Sequence, residues 1–302
     1  MNNLTLKQFR AVEALARHTH FGRAAESLAI SQPALSLQIK ELEELLGAAL
    51  FERGARQVRL TGFGEDFVAR ARTILRSVDD LADLARASEV KSLGRLRIGI
   101  IPTIAPYLLP RIIRDLTAHD PSIDLYIRET VTSKLLQDMS DGRLDTAIIA
   151  LPISEPAFVE SHLFDEDFVL VRPKSDAAKP APDAEALREM RLLLLEEGHC
   201  FRDQALAFCD LKKIRPRELL EGSSLSTLVQ MVSAGIGVTL IPEMAIDVET
   251  RSAEVAVAYF KSPRPSRRIG MIWRKTSPLA GQLSHVADLV RQSARPHRSM
   301  SR

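Results

Sequence analysis

The hydrophobic pattern of this chain changes once, near residue 94, and that change limits what the chain can fold into. Before it, apolar residues recur every three or four positions, which is the spacing of amphipathic helices. From residue 95 onward, short apolar runs such as RLRIGII alternate with helical segments. The sequence therefore predicts a helical N-terminal part followed by an α/β part with parallel strand pairing. A length of 302 residues is enough for two or three folding units.

The first 60 residues are predicted to form three short helices. In the segment TLKQFRAVEALARH, one apolar face is formed by Leu6, Phe9, Val12 and Leu15. The third helix is predicted over SQPALSLQIKELEELLG, with Ser31 as its N-cap and Gly47 as its end. Small polar residues at the start of this helix suit a helix that enters the major groove of DNA. Its outward positions are Gln32, Ala34, Ser36, Gln38 and Lys40.

The segment LFERGARQVRLT alternates around a glycine, which predicts a β-hairpin wing. It places Arg53, Arg56 and Arg59 where they could meet phosphates. The alternatives stay open at this point, because helix-turn-helix shapes also occur in proteins that bind no DNA and hairpin arginines are commonly only solvated. The net charge of +2 does not by itself indicate a nucleic-acid partner.

Residues 64–90 are predicted to form one long helix with a heptad seam. Charged residues flank this narrow seam, which favours self-pairing over the alternative of a core helix in the next domain. The seam positions are Phe67, Ala71, Ile74, Val78, Leu81 and Ala85.

We expect three parts: a DNA-binding domain over 1–62, a linker and dimerisation helix over 63–91, and an effector domain over 92–302. About 200 residues exceed one subdomain, so the effector domain is predicted to have two lobes with a cleft between them. Lobe 1 is expected over about 92–164 and 266–302, and lobe 2 over about 165–265.

The compartment bears on the two cysteines, Cys200 and Cys209, which both lie in GHCFRDQALAFC. No apolar run approaches the length of a membrane helix, and MNNLTLKQFR has no apolar stretch of signal-peptide type. We therefore expect a cytoplasmic protein without a membrane partner. In a reducing cytosol a close cysteine pair is more often redox-active or metal-binding than structural. Two cysteines make a poor zinc site, so we expect neither a metal nor a cofactor.

The segment HFGRAAESLAISQPALSLQIKELEELLGAALFER resembles the winged helix-turn-helix of LysR-type transcriptional regulators. The resemblance covers the full chain, including the linker helix and an effector domain of two Rossmann-like lobes similar to periplasmic binding proteins. Three segments resemble the hydrogen-peroxide-sensing branch of that family, namely GIIPTIAPYLLP, GHCFRDQALAFC and SRRIGMIWR.

This resemblance implies a regulator of oxidative-stress genes and not an enzyme, with a peroxidatic thiol at Cys200 and a resolving thiol at Cys209. The implied partners are promoter DNA, hydrogen peroxide, RNA polymerase, a cellular thiol reductant and further copies of the chain in a homotetramer built as a dimer of dimers. The implied peroxide contacts are Thr103, Thr132, His199, Asp203 and Arg267, with the register favouring Arg267 over Arg268. The expected DNA contacts are Gln32, Pro33, Ser36, Gln38, Lys40, Arg53 and Arg56.

The chemistry asks for a thiolate, and a helix that begins near Cys200 after a turn at Gly198 would favour it. Arg202 or Arg267 could add positive charge. If 200–209 is helical, nine residues span roughly 13.5 Å of axis, whereas a disulfide needs Cα atoms about 5.5 Å apart. Bond formation would then unwind the segment, and oxidation would act as a conformational switch.

Three other functions are weighed against this one. A LysR-type regulator that binds a small organic ligand in the cleft would leave the cysteines incidental. A thiol peroxidase would not need the first 90 residues. A solute-binding protein does not fit the signal-free N-terminus or the helical N-terminal part.

Overall fold

The computed structural model describes residues 4–52, 58–87, 94–208 and 220–294. The chain divides into two compact units, residues 1–85 and residues 86–302. Within the described residues, none of the helices combines the length and the apolar character needed to cross a membrane.

The first unit begins with three short helices, α1 (Leu6–His18), α2 (Phe21–Ser27) and α3 (Gln32–Leu46). Local sequence sets their ends: the Ser31 hydroxyl accepts a hydrogen bond from Ala34 N at 3.3 Å, and Gly47 ends α3 at φ 65°. The predicted start and stop of the third helix are confirmed. The helices enclose a small core that includes Val12, Leu15, Leu35, Ile39 and Leu42.

A hairpin follows α3, and its two arms are joined by a bridge between Phe51 and Leu60. The Glu52 N–H also donates to the Arg59 carbonyl at 2.9 Å. This is the base of the predicted wing. Its tip, including the expected phosphate contacts Arg53 and Arg56, lies outside the described residues.

A 26-residue helix, α4 (Gly62–Ala87), follows the hairpin and reaches the boundary between the two units. Gly64 is required near its start, because a Cβ there would lie 2.0 Å from the Leu50 carbonyl oxygen. Phe67 packs against Phe9 with ring centroids 5.9 Å apart. Further along the predicted seam, Ile74 is 43% exposed and Leu81 is 67% exposed. Among the seam positions whose side chains the structure describes, burial is therefore greatest near the start of the helix.

The second unit alternates strands and helices as the sequence predicts. Its described strands are β1 (Arg95–Ile100), β2 (Asp124–Glu129), β3 (Thr146–Leu151), β4 (Phe158–Pro173), β5 (Leu192–Leu195), β6 (Leu220–Gly222), β7 (Val238–Pro242), β8 (Val255–Tyr259) and β9 (Ser266–Arg274). Its described helices are α5 (Ala105–His119), α6 (Thr132–Ser140), α7 (Ala184–Arg188), α8 (Cys200–Phe208), α9 (Leu225–Ser233), α10 (Ile246–Glu249) and α11 (Ala280–Ala294).

The strands follow the order β2-β1-β3-β9-β4-β7-β5-β6, with β8 also paired to β4. The expectation of parallel pairing holds for β1 with β2 and β3, and for β5 with β6 and β7. It is wrong for the centre of the sheet, where β9 runs antiparallel to β3 and β4, and β4 runs antiparallel to β7 and β8. Strand β4 pairs with β9 up to Asp167 and with β7 from Phe168, so one strand serves both lobes.

Two hydrophobic cores mark the two lobes. The first lies around β1, β3 and β9 and includes Ile98, Ile148 and Ile272. The second lies around β5, β7 and α9 and includes Leu193 and Val229. We refer to the parts of the second unit built on these cores as lobe 1 and lobe 2.

A cysteine site at the junction of the two lobes

Three helices begin at one site in the second unit. Thr103 lies in the turn before α5, Thr132 is the first residue of α6, and Cys200 is the first residue of α8. These helices follow the parallel strands β1, β2 and β5, so their N-termini lie at the carboxyl ends of strands. Helix N-termini carry unpaired N–H groups and partial positive charge, which stabilise an anion such as a thiolate.

Cys200 stands where lobe 2 meets lobe 1. Gly198 makes the turn into α8 at φ 96°, a conformation that favours glycine. The next residues, Phe201 and Ala205, belong to the core of lobe 2, whereas the half-buried Cys200 side chain packs against the core of lobe 1. A chemical change at this sulfur therefore alters the packing against both lobes.

The structure brings four of the expected residues together in one small site, lined by Thr103, Thr132, His199 and Cys200 with Ile101, Pro102, Val131 and Phe201. Beside it lies a cavity of about 590 Å³. Thr132 and Cys200 line both spaces, whereas Asp203, Gln204 and Arg267 line the larger cavity.

Two buried polar atoms at this site have no hydrogen-bond partner among the described residues, Thr132 Oγ1 and Gln204 Oε1. Buried polar groups are nearly always hydrogen-bonded, so an unpaired hydroxyl and an unpaired amide oxygen beside a cysteine are the arrangement expected of a site for a small polar ligand. Gln204 is one helical turn after Cys200, on the same side of α8.

The Arg267 side chain is fully buried, and its guanidinium is hydrogen-bonded on two sides. It donates to Glu166 Oε2 at 2.7 Å, and it donates to Thr103 Oγ1 at 2.8 Å and to the Thr103 carbonyl at 3.0 Å. The neighbouring Arg268 is exposed. Glu166 was missed by the sequence reasoning, because it lies in β4, a strand that the apolar pattern did not reveal.

Burial raises the pKa of the Glu166 carboxyl, and the Arg267 guanidinium opposes that rise. The Glu166 oxygens accept hydrogen bonds from Arg267 and from Met244 N, which is the arrangement of a carboxylate. The Glu166 carboxylate therefore neutralises much of the positive potential that Arg267 would otherwise exert on the thiol.

Two other groups expected near the thiol supply little positive charge. Burial lowers the pKa of His199, so its imidazole is neutral at neutral pH. Arg202 donates to the Leu195 carbonyl at 2.9 Å and to Glu221 Oε1 at 2.6 Å. The suggestion that Arg202 charges the site is thus not supported, and the helix N-termini remain as a source of positive potential.

A second polar link joins the lobes away from the cysteine. The Tyr107 hydroxyl, on α5 of lobe 1, donates to Glu249 Oε1 at 2.6 Å. The Ser226 hydroxyl, on α9 of lobe 2, donates to Glu249 Oε2 at 2.5 Å. Burial raises the pKa of Tyr107, which therefore stays a hydrogen-bond donor at neutral pH.

The described residues contain no group of three or more His, Cys, Asp or Glu side chains that could hold a metal ion.

In the first unit, the start of α3 presents a polar surface. Gln32, Pro33, Ser36 and Lys40 are exposed and Gln38 is half-buried, while Lys40 lies 3.6 Å from Glu44. Glu43 has a structural role, because its Oε1 accepts hydrogen bonds from Leu50 N and Phe51 N.

Family models match both units. Residues 6–65 match the bacterial regulatory helix-turn-helix protein, lysR family, and residues 91–295 match the LysR substrate binding domain. The class is therefore that of LysR-type DNA-binding transcriptional regulators, which is not a class of enzymes.

Similar proteins indicate which family of LysR-type regulators the chain belongs to. A probable hydrogen peroxide-inducible genes activator of Streptomyces viridosporus is 42% identical over 295 residues, covering 96% of this chain and 95% of that protein. A full-length OxyR mutant of Pseudomonas aeruginosa is 38% identical, with a TM-score of 0.77 and full coverage of both chains. An H2O2-bound OxyR mutant of Corynebacterium glutamicum is 36% identical, with a TM-score of 0.66 over 96% of this chain and 92% of that one. The chain belongs to the OxyR family of hydrogen peroxide-sensing LysR-type regulators.

Proposed function

We propose that this protein senses hydrogen peroxide by oxidation of Cys200 and then forms a Cys200–Cys209 disulfide, which changes its control of oxidative-stress genes. The observation that carries the proposal is the site itself. A half-buried thiol stands at the start of a helix beside two buried polar atoms without partners, Thr132 Oγ1 and Gln204 Oε1. Such a site suits a small, uncharged ligand that both donates and accepts hydrogen bonds.

In the first step the Cys200 thiolate attacks one oxygen of hydrogen peroxide. A sulfur–oxygen bond forms, the oxygen–oxygen bond breaks, and the second oxygen leaves as hydroxide, which takes a proton to become water. The cysteine is oxidised to a sulfenic acid. Hydroxyl donors at Thr103 and Thr132 would stabilise the leaving oxygen as its charge develops.

In the second step the Cys209 thiol attacks the sulfenic sulfur, which forms the disulfide and releases water. The helix from Cys200 to Phe208 opposes this bond, since the eight residue-to-residue steps between these two residues span about 12 Å. A disulfide to the residue after Phe208 requires Cα atoms within about 7 Å, so the helix must unwind. Cys209 itself lies outside the described residues.

The proposed function also includes macromolecular partners and a reductant. The protein acts in the cytoplasm on promoter DNA as a homotetramer, assembled as a dimer of dimers through α4 and the effector domain, and works with RNA polymerase. A cellular thiol reductant resets it by thiol–disulfide exchange. The DNA contacts are those expected from the sequence, and the peroxide contacts are Thr103, Thr132, His199, Asp203 and Arg267.

The direct test is mass spectrometry of the peptide that contains residues 198–209, before and after one equivalent of peroxide. Loss of two hydrogens and of both free thiols is the expected result. Retention of both thiols would refute the peroxide reaction.

One observation favours a second candidate, a regulator that binds a small organic ligand. The cavity of about 590 Å³ is far larger than hydrogen peroxide needs. Titration of free thiols after mild peroxide treatment separates the two functions, because an organic-ligand regulator would keep both thiols.

The wing is expected to contribute phosphate contacts. Arg53→Ala should weaken binding to most DNA sequences alike and make the slope of log K against log salt shallower by about one, since one phosphate fewer is neutralised and a phosphate carries no base information. Gln32→Ala should instead change which promoters are preferred. Binding isotherms at several salt concentrations measure both effects. Lys275→Ala, an exposed charge in the second unit, is the matched control. An unchanged salt slope for Arg53→Ala would count against the wing contact.

The exposed half of the α4 seam is expected to pair between chains. Leu81→Glu should convert the oligomer to a smaller species, because it removes an apolar side chain worth about 2 kcal/mol per chain and buries a charge in its place. Analytical ultracentrifugation measures the change. Ala69→Glu places the same charge on the other side of α4, at another exposed position, and should leave assembly intact. Equal effects of the two variants would contradict pairing through the seam.

A further inference from the structure

A buried carboxylate, Glu166, lies next to the cysteine site but does not line it. The Glu166 side chain is 4% exposed and the Arg267 side chain is 0% exposed. We infer that Glu166 is a positioning residue for the peroxide reaction, holding Arg267 so that Arg267 orients the Thr103 hydroxyl toward the leaving oxygen. The inference rests on the proposed function and adds to it a residue from β4.

The geometry of the guanidinium transmits the position. Nε and Nη2 of Arg267 both lie 2.7 Å from Glu166 Oε2. Nη1 lies 2.8 Å from Thr103 Oγ1, and Nη2 lies 3.0 Å from the Thr103 carbonyl oxygen. Because the guanidinium is planar and its donors form a rigid fork, fixing the edge at Glu166 also fixes the side that meets Thr103. The Phe201 ring packs beneath the Arg267 carbon Cζ at 5.3 Å.

The hydrogen bond from Arg267 decides what the Thr103 hydroxyl can do. A threonine hydroxyl has one hydrogen to donate and two lone pairs that accept. Since Arg267 donates to Thr103 Oγ1, that oxygen is used as an acceptor on the Arg267 side and its hydrogen is directed elsewhere. Thr103 lines the small site together with Cys200, so the free hydrogen is available to the oxygen that leaves as hydroxide.

Glutamine cannot replace the carboxylate. Glu166 Oε2 accepts from Arg267 while Oε1 accepts from Met244 N at 3.4 Å. An amide offers one oxygen and one NH2 group, so either Arg267 or Met244 N–H would face a donor. Glu166→Gln keeps the size of the side chain but removes its negative charge, which weakens the hold on the guanidinium in either orientation of the amide.

The test uses the full chain with Cys209→Ser, which leaves Cys200 as its only thiol. Glu166→Gln should slow sulfenic acid formation by peroxide about tenfold, by misaligning one donor at the leaving oxygen. The rate of alkylation of Cys200 by iodoacetamide should not fall, because that reaction needs the thiolate but its leaving iodide needs no hydroxyl donor. Trapping of the sulfenic acid and mass spectrometry give the two rates.

Two comparisons separate positioning from general damage. Asp145→Asn breaks the buried pair between Arg97 and Asp145, at the other ends of β1 and β3, and should leave both rates unchanged. In a Thr103→Val background, Glu166→Gln should cause no further loss of the peroxide rate, because both changes remove the same donor.

An equal loss of both rates, an unchanged peroxide rate, or a full tenfold loss in the Thr103→Val background would overturn the inference. If Glu166→Gln does not fold, Glu166→Asp decides by the same rates, since it keeps the charge but draws the carboxylate back from the guanidinium by one carbon–carbon bond. Failure of the parent chain to react with peroxide at all would instead refute the proposed function.

Discussion

Replacing Cys200 by serine is expected to abolish the response to peroxide completely while leaving DNA binding by the reduced form intact. A serine hydroxyl is a poor nucleophile toward peroxide, and the DNA-binding unit is separate from the unit that holds the cysteine. DNA footprinting of Cys200→Ser with and without micromolar peroxide gives the answer, and the two footprints should be the same.

Cys209→Ser is the informative partner of that variant. It keeps the first thiol, so it should still consume one equivalent of peroxide and stop at the sulfenic acid. If Cys200→Ser still changed its footprint with peroxide, the assignment of the reactive thiol would be wrong.

The second large effect is expected in α8. Oxidation of the natural sequence should raise the rate of amide hydrogen exchange between Cys200 and Phe208 by about a hundredfold or more, because the disulfide cannot form while the helix persists. The same peroxide treatment of Cys209→Ser should leave exchange in α8 slow, since no disulfide pulls on it. Mass spectrometry of exchanged peptides resolves the segment.

The opposite outcome would contradict the switch. Slow exchange in α8 of the fully oxidised protein would show that helix and disulfide coexist, which would remove the conformational switch and leave the peroxide chemistry in place. Exchange in α5 offers an internal reference, since no disulfide is expected to pull on that helix.

Sequence alone predicts the first unit well because its signals are local. Ser31 and Gly47 set the ends of α3 through contacts within one helical turn, and both were visible in the sequence. The turn at Gly198 and the start of α8 were likewise predicted from a glycine just before the apolar positions of that helix.

The parts that were missed depend on distant partners. The first half of β4 carries polar residues such as Glu160 and Asp165, and it is a strand because it pairs with β9, about 100 positions later in the chain. Glu166 lies 101 positions from Arg267, and Arg267 lies 164 positions from Thr103. No spacing rule connects such residues. The pocket residues were predicted through the family resemblance, whereas the role of Glu166 is visible only in the folded structure.

The way the chain passes between the lobes has a mechanical consequence. It crosses twice, along β4 and again into β9, and the two crossings are neighbours, since Asp167 pairs with Ser266. A hydrogen-bonded ribbon of two strands resists stretching but twists readily. The Tyr107–Glu249 hydrogen bond adds a third tie away from that ribbon. Unwinding of α8 should therefore rotate lobe 2 relative to lobe 1, with the two-strand ribbon as the rotation axis. This rotation must break the Tyr107–Glu249 hydrogen bond, which otherwise opposes it.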